Sequence, residues 1–217
     1  MRILVTGGAG FIGSHLCRRL TRDGHGVIAL DNLLHAVPEH ERALELPPGP
    51  GHGSHRLVVG DVRDEERLAF LAGDVDYLIH AAALINVDLA TLNPRIAVDI
   101  NINGTLNVLE TCRRHDFPMM FISSSEVYGP VIGKPHSEDS PTNPPHPYGA
   151  TKLAAERLAT AYRDTYGLPI QTVRPFNTFG TSQSSDSYGA FITKSVARAL
   201  KGEPVVVFGS GSQTRDY

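Results

Sequence analysis

Cysteine is scarce in this chain: 217 residues hold two, Cys17 and Cys112. Each lies in a helical pattern among apolar neighbours, so the sequence predicts buried free thiols and no disulfide framework. No apolar run approaches the ~20 residues of a membrane span, and the N-terminal residues enter a strand directly, without a signal-peptide pattern. Basic charge is not in excess. Twenty Lys and Arg stand against 23 Asp and Glu, a formal charge of -3, so the usual electrostatic footprint of a nucleic-acid binder is missing. Internal repeats are missing too. These absences predict a cytoplasmic protein with neither a membrane nor a nucleic-acid partner. What remains is ordinary: 41% hydrophobic residues, typical of a globular chain, at a length that suits one domain or one and a fraction.

The first thirty-one residues carry the strongest pattern. A short apolar run, Ile3 to Val5, leads into a turn with Gly7, Gly10 and Gly13 spaced G-x-x-G-x-x-G. Phe11, Ile12, Leu16 and Leu20 then repeat at helical steps. A second apolar run, Val27 to Leu30, ends on Asp31. The order strand, glycine turn, helix, strand, acid is what a dinucleotide needs. The glycines let the backbone approach a pyrophosphate, and the helix N-terminus offers it free N–H groups and a positive dipole end, at Phe11 and Ile12. Asp31, with Asn32 beside it, is placed to accept from both adenosine ribose hydroxyls, which favours NAD over NADP. The plainer alternative is a glycine-rich turn in some other α/β protein.

Residues 32–55 break the pattern, apart from a possible short helix from Glu39 to Leu46. They hold four prolines and four histidines. His35, His40, His52 and His55 fit no closed zinc spacing, so no metal is expected. Leu57 to Val59 predicts a third strand, ended by Gly60-Asp61. Asp61 and Val62 are candidates for the adenine edge; helix capping is the alternative for Asp61, since Asp64 and Glu65 begin a helix. Asp76 to His80 predicts a fourth strand. It runs into Ala81, Ala82 and Ala83, small residues that permit close approach of a cofactor at a strand's carboxyl end, or simply tight packing. Asn93-Pro94 starts a helix reaching about His115, with Ile96, Ile100, Val108 and Leu109 expected inside. Asn101 and Asn103 are poor helix formers, so each should contact something; for Asn103 a structural bond to a neighbouring loop is preferred.

Phe117 to Ile122 predicts the fifth strand. It delivers Ser123, Ser124, Ser125 and Glu126 to the carboxyl edge of the sheet, ahead of a long proline-rich loop of the kind that is usually functional or disordered. Tyr148 and Lys152 follow at a helix start, four apart and so on one face, and the helix runs on to Tyr166. A tyrosine near its ordinary pKa of ~10 is a poor base. A neighbouring ammonium, and a cationic nicotinamide, would lower that value, which makes the pair a candidate general base. Ile170 to Val173 predicts a sixth strand, Ser187 to Leu200 a helix, and Val205 to Phe208 a short strand.

Taken together, Gly7 to Gly13, Asp31, Asn101 to Thr105, Ser124 to Gly129, Tyr148 to Lys152 and Arg174 to Gly180 resemble the extended short-chain dehydrogenase/reductase superfamily, specifically its NAD-dependent nucleotide-sugar epimerases and dehydratases. The resemblance implies an α/β fold, a Rossmann-type doubly wound parallel sheet in residues 1–174, with a small, incomplete substrate lobe in 175–217, because family members continue past the Q-x-R-D segment in which this sequence stops. It implies that Ser124, Tyr148 and Lys152 are catalytic, with Glu126 beside them. It places Asn101, Ser123, Tyr148, Lys152 and Pro175 against the cofactor. It assigns Ser124, Ser125, Glu126, Tyr148, Asn177 and Arg215 to the nucleotide sugar, the last two near its phosphates. A homodimer formed through the helices matching 94–115 and 147–166 is also implied, and, whether the sequence is a fragment or its substrate lobe is curtailed, the chain as written is expected to hold NAD better than it turns over sugar.

Within the resemblance the reaction is open. In the related 4,6-dehydratases an Asp-Glu pair follows the catalytic Thr, whereas here the residues are Ser125 and Glu126, so the acid that protonates the leaving hydroxyl is missing. A Ser-Glu pair is similar to UDP-glucuronate decarboxylases. The context Pro147 to Ala154 looks like epimerases. The reading is a 4-epimerase of a UDP-hexose or UDP-uronic acid working through a transient 4-keto sugar, with decarboxylase or dehydratase as alternatives. A non-catalytic NAD- or nucleotide-sugar-binding protein is the alternative of another class.

Overall fold

The computed structural model describes residues 1–34, 36, 53–130, 135–181, 183, 191–207 and 209–214. Six short strands rich in β-branched and aliphatic residues form one sheet: β1 Arg2–Thr6, β2 Gly26–Asp31, β3 His55–Val59, β4 Tyr77–His80, β5 Met119–Ile122 and β6 Ile170–Val173. Their order is β3-β2-β1-β4-β5-β6, and every pairing is parallel. Parallel strands need crossovers, and among the described residues helices supply those from β1 to β2, β3 to β4, β4 to β5 and β5 to β6: α1 Phe11–Arg22, α2 Glu65–Ala72, α3 Val87–Leu92, α4 Pro94–Val98, α5 Gly104–His115 and α6 Pro147–Tyr166, with α7 Phe191–Leu200 following β6. The sheet is the doubly wound α/β architecture expected from the sequence.

The strands alternate between two cores, as the two-residue period of a strand requires. Leu4, Ile28, Leu30, Leu78 and Phe121 face α2, α5 and α6, where they meet Leu68, Leu71, Val108, Leu109, Cys112, Ala155 and Ala159. Ile3, Val5, Val27, Ala29 and Ile79 face α1 through Cys17. Both thiols are buried and free, and burial pushes each up to about 12. Among the described residues no helix is long and apolar enough to cross a membrane.

Chain direction reverses its order in the sheet at β1, where β2 leaves on one side and β4 on the other. That is the topological switch point at which open parallel sheets bind ligands. Thr6 pairs with Leu30 and with His80, so the carboxyl ends of the central strands lie level along one edge.

Several expectations change. The helix expected from Asn93 to His115 is α4 and α5 joined by a π-helical turn, Asp99–Asn103. The extra residue in that turn shifts the helical phase. Ala97, Ile100 and Asn101 are buried, but Ile96 is 39% exposed and does not face the core. Asn103 bonds Asp99 within this turn rather than a neighbouring loop. A short helix, α3, precedes it, started by the Asn86 side chain accepting from Leu89 N–H at 2.8 Å. Asp64, not Asp61, caps α2, accepting from Arg67 N–H at 2.9 Å. Residues 205–207 are exposed and form no strand. Glu39 to Leu46, His35, His40, His52, residues 187–190 and Phe208 lie outside the described residues, and His55 opens β3.

Candidate active site at the carboxyl edge

The glycine turn is shaped by contact. Gly7 has φ +69°, where L side chains are strained, and a Cβ there would lie 2.7 Å from Ala82 N. A Cβ on Gly8 would lie 2.6 Å from the Ala29 methyl, and one on Gly13 would lie 2.0 Å from the Gly7 carbonyl oxygen. The turn therefore packs between β2 and Ala81-Ala82, and α1 packs onto the turn. Gly10 precedes α1 and has no side chain to cap it, so the first-turn N–H groups of Phe11, Ile12 and Gly13 are presented to a ligand. This turn, packed too closely for a Cβ at Gly7, Gly8 or Gly13 and leaving the first-turn N–H groups open, fits a dinucleotide pyrophosphate. Gly13→Ala is expected to weaken NAD binding at least about tenfold, the equivalent of ~1.4 kcal/mol, and to cost about 1–3 kcal/mol of stability through overpacking. NAD titration and urea unfolding check both.

At the end of β2, Asp31 clasps this turn. Its Oδ2 accepts from Ala9 N–H at 3.0 Å and its Oδ1 from Leu33 N–H at 2.8 Å. The second bond holds Leu33 at φ +61°, an uncommon conformation for a branched residue. Each carboxylate oxygen has a further acceptor position for a ribose hydroxyl. Asp61 differs. Its Oδ1 accepts from Arg63 N and Nε, and its Oδ2 from Arg63 Nη2 and Asn32 Nδ2, all at 2.9 Å. Those four bonds fill its capacity and, led by the Arg63 side-chain bond, hold its carboxyl well below the usual carboxylate range. Val62 is buried, and a Cβ on Gly104 would come 2.7 Å from its Cγ2.

Behind the alanines runs a buried chain of bonds that the sequence reading did not find. Ala82 N–H donates to Thr6 Oγ1 at 3.3 Å, and Thr6 Oγ1 lies 2.7 Å from His80 Nδ1. His80 Nε2 lies 2.9 Å from Thr105 Oγ1, which donates to the Asn101 carbonyl at 2.6 Å. One direction satisfies every group: Nε2 carries the proton and Nδ1 accepts. Full burial, aided by the Lys152 charge, pushes His80 down to about 3, so it stays neutral. Asn101 then spans the gap to α6. Its amide donates to Thr151 Oγ1 at 2.9 Å and to the Leu84 carbonyl at 3.1 Å, and its Oδ1 accepts from Leu84 N–H at 2.7 Å.

The remaining candidates gather where β5, α6 and β6 end. His146 and Pro147 start α6, so Tyr148, Lys152 and Glu156 fall on successive turns of one face. Tyr148 is buried. Burial raises its phenol above the ordinary value; the neighbouring Ser124 hydroxyl opposes this and the Glu126 charge adds to it. Lys152 is buried as well. Its Nζ donates to the Ile122 carbonyl at 2.6 Å and lies 4.4 Å from the centre of the Phe121 ring. Burial pushes its amine down to about 7, against the pull of Glu156. Glu126 is half-exposed, its Oε2 3.0 Å from His146 Nε2. Ser125 N–H donates to the Pro175 carbonyl at 3.0 Å, which ties β6's exit to this turn. Ser123 and Arg174 share the Glu156 carboxylate.

The structure thus brings Ser123, Ser124, Ser125, Glu126, Tyr148, Lys152 and Pro175 together at the sheet edge that also carries Gly7 and Asp31. Asn177 is half-buried beyond β6, and Arg215 lies outside the described residues. A cavity of about 280 Å³ lined by Phe11, Ile12, His15, Leu16 and Thr178 flanks α1; it includes none of Ser124, Tyr148 or Lys152. Gly8, His80, His146, Glu156 and Arg174 are parts of the site that the sequence reading gave no role. Three had a local signal: Gly8 lies within the glycine turn, Arg174 opens the segment running to Gly180, and Glu156 is four residues from Lys152.

Comparison with known proteins agrees with this geometry. Residues 3–217 match the family described as the NAD dependent epimerase/dehydratase family. A putative UDP-glucose 4-epimerase of Methanocaldococcus jannaschii is 36% identical over 220 residues, covering 99% of this chain and 68% of that protein. UDP-glucuronic acid decarboxylase 1 of Danio rerio is 35% identical over 221 residues, covering 100% of this chain and 50% of that protein. The crystal structure of Thermus thermophilus UDP-glucose 4-epimerase in complex with NAD superimposes with a TM-score of 0.83 at 33% identity, over 94% of this chain and 64% of that one. The chain therefore spans half to about two thirds of the length of these relatives.

Proposed function

The chain belongs to the NAD dependent epimerase/dehydratase family, and we propose that within it this protein is a nucleotide-sugar 4-epimerase that acts on a UDP-hexose or UDP-uronic acid. The observation that carries the reading is the burial of Tyr148 beside Ser124, with Lys152 one turn along the same helix face, at the edge holding the glycine cradle. NAD supplies the acceptor that takes the C4 hydride and returns it. The chain's own groups do the rest. Tyr148 receives the proton of the sugar 4-OH as the carbonyl forms and gives it back after the 4-keto sugar has turned over. Ser124 orients that oxygen. Lys152 sits beneath the pair and faces the cofactor ribose. Gly7, Gly10, Phe11, Ile12 and Gly13 cradle the pyrophosphate, Asp31 with Asn32 takes the ribose hydroxyls, and Asp61 with Val62 and Ala81 to Ala83 lines the adenine and nicotinamide approaches. For Asp61 to meet adenine, Asn32 must yield its place on Oδ2. Asn177 and Arg215 hold the sugar-nucleotide phosphates.

A second reading has a specific support. Ser125 stands where a dehydratase has its acid, while Glu126 stays at the site with a half-exposed carboxylate, an arrangement compatible with a 4-keto uronic acid losing carbon dioxide. In this proposal residues 1–174 bind NAD and carry the catalytic groups, residues 175–217 belong to the sugar lobe, and the protein works as a cytoplasmic homodimer. Ile96, Leu106 and Tyr166 remain exposed on the helices assigned to the dimer, an apolar surface that association would cover. The test is NMR of UDP-glucose, UDP-N-acetylglucosamine and UDP-glucuronate incubated with the NAD-loaded protein. C4-inverted product from at least one is expected. Carbon dioxide with a pentose product would instead establish the second reading, and a stable 4-keto-6-deoxy sugar would overturn both.

A further inference from the structure

A chain of contacts closes around the start of α6. The Ser124 hydroxyl interacts with the Tyr148 phenol, and Ser124 Oγ accepts from Glu126 N–H at 3.2 Å. Glu126 Oε2 meets His146 Nε2 at 3.0 Å, and His146 Nδ1 accepts from Gly149 N–H at 3.1 Å, one residue past Tyr148. Because Nδ1 is an acceptor, the ring proton is on Nε2, and His146 donates it to the carboxylate. The imidazole lies nearly parallel to the Tyr148 ring, 13° apart with centroids at 6.1 Å. Gly149 makes this closure possible: a Cβ there would come 2.8 Å from the Glu126 carbonyl oxygen and 3.3 Å from His146 Cε1. A helix cap needs only a small polar acceptor, which Ser, Asp or Asn supply. A histidine adds a donor on its far side, and that donor is spent on Glu126.

We propose that His146 is a positioning residue for Tyr148: it caps the helix that carries the tyrosine, lies parallel to its ring, and fixes the Glu126 carboxylate on the turn that carries Ser124, so that through this carboxylate it governs when the phenol gives up its proton. The inference deepens the catalytic reading of Tyr148 and rests on it for its consequence in turnover. The groups around Tyr148 leave Glu126 as the charge to be managed. Leu84, Ala90, Ala97 and Ile100 pack with it from the preceding loop and from α3, α4 and the π turn, and all are apolar. Lys152 lies one turn along α6, its ammonium directed at the Ile122 carbonyl. Ser124 and Glu126 come from the turn after β5, and the Glu126 charge opposes the phenolate. The bond from His146 draws that charge toward the imidazole. Without it, the full carboxylate charge faces Tyr148.

The experiment titrates Tyr148 directly, in NAD-loaded protein without substrate. Phenolate absorbance of each protein is compared with that of the same protein carrying Tyr148→Phe, which isolates this tyrosine from the other six. Glu126→Gln is expected to lower the midpoint by about half a pH unit or more, the scale of a nearby like charge. His146→Asn retains a cap acceptor but removes the donor, and is expected to raise the midpoint by a similar amount. In the Glu126→Gln background, His146→Asn is expected to do nothing, because the carboxylate it acts through is gone. An unchanged midpoint in His146→Asn overturns the proposal, as does an equal shift in both backgrounds, which would make His146 a cap alone. Coupled shifts without any epimerase turnover would uphold the proposal and sink the epimerase reading. Epimerase turnover with unmoved midpoints would do the reverse.

Discussion

Tyr148→Phe is expected to cut nucleotide-sugar turnover by about 100- to 10,000-fold, the usual contribution of a positioned acid–base group, with NAD affinity unchanged. The substitution removes one oxygen. The ring stays in its apolar seat against Leu84, Ala90, Ala97 and Ile100, the cap of α6 is untouched, and the glycine cradle lies on another element. Turnover assayed beside an NAD titration separates the effects: a parallel loss of NAD binding would mean that the helix had moved. Spacing alone suggests an ammonium at Lys152 that lowers the phenol. Here burial dominates both groups, raising Tyr148 and pushing Lys152 down to about 7. If Tyr148 is the base proposed above, a cationic nicotinamide is the charge that would lower its phenol.

What could be read from the sequence was local. The glycine turn, its flanking strands and Asp31 lie within thirty-one residues, and each part constrains the next through the backbone. Tyr148 and Lys152 were legible because a helix turns a four-residue spacing into a shared face. The parts that stayed hidden join distant segments. Thr6 and His80 are 74 residues apart, and nothing near His80 marks it as the middle of a proton-ordered chain. The π turn hid for another reason: Asn101 and Asn103 announced an irregularity but not its kind, and the extra residue rotated Ile96 outward. Residues 205–207 have strand-forming side chains, yet a strand needs a neighbour, and among the described residues none pairs with them.

Glu156→Ala should be the most damaging substitution for stability outside the apolar cores, costing about 3–5 kcal/mol, the range for breaking a buried pair from one side. The Glu156 carboxylate is buried on α6 and accepts from Ser123 Oγ at 2.8 Å and Arg174 Nε at 3.0 Å, with a further close bond from Arg174 Nη2. Arg174 in turn donates to the Tyr128 hydroxyl at 2.8 Å and the Glu138 carbonyl at 3.2 Å, and its guanidinium lies 4.7 Å from the centre of the Tyr128 ring. One carboxylate thus gathers the ends of β5, β6 and the turn bearing Ser124. Deleting it strands a guanidinium that cannot neutralise itself. Glu156→Gln keeps the shape and one acceptor, so its loss should be smaller. Burial works against the charged carboxyl, but the Arg174 and Ser123 bonds outweigh it and hold Glu156 below its unfolded value of 4.5. A carboxyl lowered by folding contributes stability above that value and loses it as pH falls through the folded one. In urea unfolding, the gap between the native protein and Glu156→Ala should therefore be widest near pH 7 and narrow below about 4.5; a gap independent of pH would mean that the carboxylate's charge contributes nothing. Function should suffer in the same variant by two routes. Ser123 loses its partner beside Ser124, and Lys152, one turn away, loses the charge that favours its ammonium, so its amine is pushed further down.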